Sequence, residues 1–94
     1  MYVAVIDMPL KEGVEEEFSK WISETNKILS KQPGFINRRL GKSDDGKYVI
    51  IAEFEDMEAH HKIHQTPEHH QIQTQLMNFI KQGPSRKFYN IISQ

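Results

Sequence analysis

Asp56 to His70 reads DMEAHHKIHQTPEHH, and the breaks inside this stretch decide how the chain folds. Asp56 is a natural N-cap for a short helix over Met57–His64. Thr66-Pro67-Glu68 then starts a longer one: a hydroxyl caps, Pro fits the first helical position, and an acidic side chain suits the positive end of the helix dipole. The spacing predicts this second helix from Pro67 to about Lys81, with Ile72, Leu76, Phe79 and Ile80 as its apolar stripe and Gly83-Pro84 as its stop. Counting back three from Ile72 puts His69 on the same inward stripe. The break places side chains from two helix ends close together, at a rim where a pocket can open, and all five histidines lie between positions 60 and 70.

Upstream, Lys47 to Glu55 is rich in β-branched and aromatic residues and reads as a strand. The Asp44-Asp45-Gly46 cluster makes it the second arm of a hairpin whose first arm is Phe35 to Leu40. Gln32-Pro33-Gly34 ends the preceding helix. In that helix Val14, Phe18, Trp21, Ile22, Thr25, Ile28 and Leu29 recur at three and four residues. Tyr2 to Met8 is a first strand, apolar on both alternating faces, and Lys87 to Ile92 a last one. The order is β-α-β-β-α-β with the second helical part broken, so the expected class is α+β: a ferredoxin-like, four-stranded antiparallel sheet in a single domain over residues 1–94. Helices cover one face of such a sheet. Apolar residues on both faces of the first, third and fourth strands therefore call for a partner, most simply a second copy.

Composition narrows the function classes. A net charge of −1 with 27% charged residues gives no basic face for nucleic acid. The absence of cysteine excludes a disulfide scaffold, a thiolate zinc site and a cysteine nucleophile. No apolar run approaches the roughly 18 residues of a membrane span, and no signal segment opens the chain, so it is read as soluble and cytoplasmic, with no membrane partner.

The helix after Gly13, the Pro33-Gly34-Phe35 entry to the second strand, the Phe54-Glu55-Asp56-Met57-Glu58-Ala59 transition and Thr66-Pro67-Glu68-His69 occur in an order and spacing that resembles the antibiotic biosynthesis monooxygenase (ABM) domain family of the dimeric α+β barrel superfamily. The resemblance implies a homodimer whose sheets form a barrel, with a pocket in each subunit between sheet and helices. Members include cofactor-free oxygenases of phenols and quinols, haem-degrading enzymes and small-molecule isomerases. The haem degraders carry Asn, Trp and His where this chain has Ile6, Ile63 and Gln73, and glutamine is a poor iron ligand.

A cofactor-free oxygenase must deprotonate an electron-rich phenol, and histidine suits that step. His69, inward and near a helix N-terminus whose dipole favours the neutral ring, is the leading candidate base, with His64 facing it across the break. His60, His61 and His70 read as exposed polar residues. Ile6, Trp21, Ile22, Ile63 and Gln73 are placed around the pocket, Trp21 as a stacking surface for an aromatic ligand. His60 and His64 share a helical face, yet a third metal ligand is missing, so no metal site is assigned. Strand alternation sends Arg38 and Arg39 to opposite faces, so only one can enter a pocket, and pairing with Glu53 or Glu55 across the hairpin is the simpler use. With no Gly-rich nucleotide turn, no flavin or other cofactor is expected. The expected function is a cofactor-independent monooxygenase on a small aromatic, phenolic or quinol-like substrate. The alternatives are a non-enzymatic ligand-binding or stress-associated dimer, which would have no cavity and solvent-facing histidines, and a haem-binding relative with a shifted site.

Overall fold

A computed structural model describes all residues from Met1 to Gln94. The elements are β1 (Tyr2–Met8), α1 (Glu15–Leu29), β2 (Phe35–Lys42), β3 (Tyr48–Phe54), α2 (Met57–His64), α3 (Pro67–Leu76) and β4 (Ser85–Asn90). The strands form one antiparallel sheet in the order β2-β3-β1-β4, the ferredoxin-like arrangement with its second helical part split.

Register sets the core. β1 pairs with β3 from Tyr2↔Phe54 to Met8↔Tyr48, and because strand side chains alternate, Tyr2, Ala4 and Met8 join Ile50, Ala52 and Phe54 beneath the helices. Two clusters result. One gathers Tyr2, Ala4, Ala52 and Phe54 under Leu29, Ile63 and Ile72; the other packs Met8 and Ile50 with Leu10, Phe18, Ile22, Leu76 and Ile80. Ile6 and Trp21 touch both clusters, so the seam between them passes through these two residues.

The breaks in Asp56–His70 behave as their chemistry requires. The Asp56 carboxylate accepts the Ala59 amide at 2.8 Å, and the Thr66 hydroxyl accepts the His69 amide at 3.2 Å with Pro67 in the first turn. Gly34, at φ +87°, lies where a β-carbon would come within 2.4 Å of the Ala59 methyl. Its carbonyl accepts the Glu55 amide at 2.8 Å, so this glycine sets how closely α2 seats on the start of β2.

The longer helix differs from the expectation: α3 ends at Leu76 rather than near Lys81. Residues 79–81 instead pair with the segment after β1. Lys11 donates its amide to the Phe79 carbonyl at 2.8 Å, Lys81 donates to Pro9 at 2.9 Å, and Ile80 bridges Leu10. Ile80 is still buried, so its apolar spacing reflects the core and not a continued helix. β4 also ends earlier than expected, at Asn90, and all its residues are exposed. On the face away from the helices, Val3, Val5, Val49 and Ile51 are half-buried, and Arg39 pairs with Glu53 at 2.9 Å beside them. No helix is long and apolar enough to cross a membrane.

Candidate active site

A cavity of about 60 Å³ lies between sheet and helices, and thirteen of its nineteen lining residues are hydrophobic. No aspartate or glutamate lines it. Charges and dipoles inside it are therefore weakly screened.

Its polar wall is a column of three imidazoles. His60 and His64 stand one turn apart on α2, and His69 enters from the first turn of α3 across the break. Ring centroids are 3.9 Å apart for His60–His64 and 3.9 Å for His64–His69. His64 Nδ1 is 2.8 Å from the His60 carbonyl oxygen. A carbonyl only accepts, so Nδ1 carries the proton and donates, which leaves Nε2 with its lone pair. The Thr66 hydroxyl donates to the Ile63 carbonyl at 2.7 Å while capping α3, so one residue ties the two helix ends that present His64 and His69.

Burial governs the titration of the column. It pushes His69 and His60 down to about 4, with the adjacent His64 adding to the effect on each. His64 is also lowered, first by burial and against the opposing pull of the His60 carbonyl. All three rings are thus neutral at pH 7. For His69 the direction is the expected one, but its leading cause is burial and not the helix dipole.

Of the residues anticipated from sequence, His69, His64, Ile6, Trp21, Ile63 and Gln73 line this cavity. Ile22 does not: it is buried in the cluster around Phe18 and Met8, and only its carbonyl serves the site, accepting from Arg38. His60 corrects the expectation of an exposed residue, since it is 7% exposed. Its ring sits 4.9 Å from Phe54, 5.1 Å from Phe88 and 5.4 Å from Tyr2, and its Nδ1 has no hydrogen-bond partner. His61 and His70 are exposed as expected. Arg86 and Phe88 also line the cavity and were missed. The available signal was their alternation, which in register with Ile6 and Ala4 puts both on the helix side of the sheet.

Of the two adjacent arginines, Arg38 is the one that turns inward. Trp21 donates its indole N–H to Gln75 Oε1 at 2.7 Å, and its ring lies against Phe18, Phe79 and the Arg38 guanidinium. No group of three or more His, Cys, Asp or Glu side chains is arranged to hold a metal ion; the imidazoles pack ring against ring and do not converge on one point. Ile6, Ile63 and Gln73, at the positions where haem degraders carry Asn, Trp and His, all face the cavity.

The family model described as antibiotic biosynthesis monooxygenase matches residues 1–75. SnoaB, a cofactor-independent oxygenase from Streptomyces nogalater, is similar over 99% of this chain and 95% of its own, at 21% identity and a TM-score of 0.79. Rv0793 from Mycobacterium tuberculosis matches over 100% of this chain and 98% of its own, at 14% identity and a TM-score of 0.79. A conserved protein from Methanosarcina mazei Go1 matches over 95% and 91%, at 13% identity and a TM-score of 0.79. At these identities the likeness is one of fold. No curated protein sequence matches the chain.

Proposed function

Because the chain belongs to the antibiotic biosynthesis monooxygenase family, we propose that it is a cofactor-independent monooxygenase acting on a small phenolic or quinol-like aromatic substrate. The observation that carries this reading is the pair of neutral imidazoles, His64 and His69, set 3.9 Å apart against an apolar cavity. The fixed tautomer of His64 makes its Nε2 the base, and His69 holds the second position beside it. Ile6, Trp21, Ile63 and Gln73 enclose the aromatic ring. The similarity to a cofactor-independent oxygenase of the same fold supports a reaction without flavin or metal.

The proposed chemistry closes without an external reductant. His64 takes the phenolic proton, and the resulting anion passes one electron to dioxygen. Substrate radical and superoxide combine to form a C–O bond, and the protonated peroxide loses water to leave a carbonyl. One oxygen atom ends in the product and the other in water; the substrate, going from phenol to quinone as a ring C–H and the phenolic C–OH both become C=O, supplies all four electrons. A neutral histidine in an apolar site suits the first step because its lone pair is free at pH 7 and charge on the substrate is weakly screened.

Oxygen uptake with a panel of hydroquinones and phenols tests the reading. We expect turnover in wild type and its loss in His64→Ala or His69→Ala; no turnover with any member, or turnover that both variants leave intact, rejects it. A non-enzymatic binder would have its histidines in solvent, and the three inward rings favour the enzyme. We further place the protein in the cytoplasm as a homodimer joined through the outer sheet face of Val3, Val5, Val49 and Ile51. Sedimentation at the 11.0 kDa mass of one chain at micromolar concentration would dismiss the dimer.

A further inference from the structure

Arg38 is a buried cation for which the chain provides no anion. It is 9% exposed, and each of its partners is neutral. Nε donates to Asn26 Oδ1 at 2.7 Å, and Nη2 donates to the Ile22 carbonyl at 3.2 Å and to the Thr25 hydroxyl. Asn26 returns a bond from its amide nitrogen to the Arg38 carbonyl at 2.7 Å, so α1 fixes both the backbone and the head group. Trp21 adds its ring 5.7 Å from Cζ. A guanidinium has five N–H donors; these contacts leave both hydrogens of Nη1 without a protein acceptor, and Arg38 lines the cavity.

The next residue makes the contrast. Arg39, on the open face, has the Glu53 carboxylate at 2.9 Å. The other two ion pairs, Lys42–Glu15 and Lys62–Glu58, are also exposed. Carboxylates are thus spent on surface cations while the buried one is held by dipoles alone. Desolvating a guanidinium without a counter-charge costs free energy that neutral acceptors only partly offset. Its planar fork matches the oxygens of a carboxylate or other oxyanion.

Resting on the reading of the cavity as the substrate site, we propose that its ligand binds as an oxyanion, a carboxylate or an ionised phenol, with an oxygen on Nη1 of Arg38. The division of labour is then between groups on two elements: the neutral imidazole of His64 removes a proton, and Arg38 holds the negative oxygen. Asn26 and Thr25 are positioning residues that aim the guanidinium.

The test is anaerobic binding to the intact protein at constant ionic strength, so that turnover is not the readout. Matched probes are benzoate against benzamide, acetate against acetamide as a smaller pair, and 4-nitrophenol, whose ionised form is read by its visible absorbance. We expect each preferred anion to bind about ten-fold tighter than its neutral partner, the factor typical of one charged hydrogen bond. Preference for a carboxylate over its amide identifies a carboxylate ligand. Nitrophenol bound as the phenolate at a pH where it is neutral in solution identifies an ionised phenol. Arg38→Met is expected to abolish the preference and Arg38→Lys to keep part of it. Wild type that prefers no anion overturns the proposal whatever the variants do, and a preference unchanged in Arg38→Met overturns the role of Arg38. If Arg38→Met does not fold, a preference in Arg38→Lys equal to that of wild type overturns the guanidinium-specific contact and a reduced one supports it. Anion binding without oxygen uptake would reject the monooxygenase and leave this site standing; oxygen uptake without anion preference would do the reverse.

Discussion

Acidification from pH 7.5 to 4.5 is expected to weaken this fold by about 3 kcal/mol, and the imidazole column is the reason. His60 and His69 titrate at about 4 in the folded protein against an ordinary value of 6.5. Unfolded chains therefore bind protons at these sites below pH 6.5 while the folded protein does not. The sign follows: stability is complete above 6.5, falls as the pH drops, and stops falling through these groups at about 4. A fully sealed imidazole shifted this far would contribute about 3 kcal/mol, and water reaching the cavity mouth reduces that to roughly half for each ring. Two rings then account for about 3 kcal/mol, a large part of the roughly 5–15 kcal/mol typical of a small domain. Glu15 and Asp45, whose carboxyls are held below their ordinary values of 4.5 and 3.8 by Lys42 and Ser43 respectively, act in a lower window, so stopping at pH 4.5 separates them. The assay is urea unfolding followed by Trp21 fluorescence at several pH values, with ionic strength and protein concentration fixed. The double variant His60→Leu/His69→Leu should lose most of the slope. Stability in wild type that is flat from pH 7.5 to 4.5, or a double variant that follows wild type, would refute the reasoning.

Other perturbations bear on the elements that build the site. Gly34→Ala should cost about 2 kcal/mol or more, from the left-handed backbone and the collision with Ala59, and is read by urea midpoint. Asp56→Ala removes the acceptor for the Ala59 amide and should cost about 1 kcal/mol, with the loss of helical circular dichroism on heating beginning earlier than in wild type. In a turnover assay the acid limb of kcat/KM should lie below 6.5, because His64 is lowered and stays a base into mild acid; a limb above 6.5 would exclude His64 as the group observed.

Most of the fold was legible because its signals are local. Asp56, Thr66-Pro67 and Asp44-Asp45-Gly46 act within a few residues of themselves, and α2 has the bounds that its cap and break imply. The end of α3 was not legible for the opposite reason. Leu76, Phe79 and Ile80 satisfy helical spacing, and only the segment from Pro9 to Lys11, far away in sequence, competes for the backbone of residues 79–81. A non-local strand bridge wins there over a continued helix, and Ile80 reaches the core by either route. The same distinction separates His69, visible by counting back one turn from Ile72, from His60, whose burial depends on Phe88 arriving from the last strand.

Arg38 marks the limit of pattern reading and also shows what the pattern did contain. Alternation along β2 requires Arg38 and Arg39 to part, and the available carboxylate across the hairpin belongs to Glu53. Pairing in β2–β3 puts Arg39 opposite Ile51 and Arg38 opposite Ala52, so Glu53 shares the outer face with Arg39 and is out of reach of Arg38. Once Glu53 is committed, an inward arginine on this strand can be satisfied only by α1, which offers Asn26, Thr25 and a backbone carbonyl. None of these is charged. A guanidinium so placed is dipole-bound, aimed and short of one anion, and it lies in the same apolar cavity as three histidines that burial keeps neutral at pH 7. The electrostatic character of the cavity is therefore positive at the pH where the imidazoles are bases, the combination that lets a ligand lose a proton without the site gaining a second uncompensated charge.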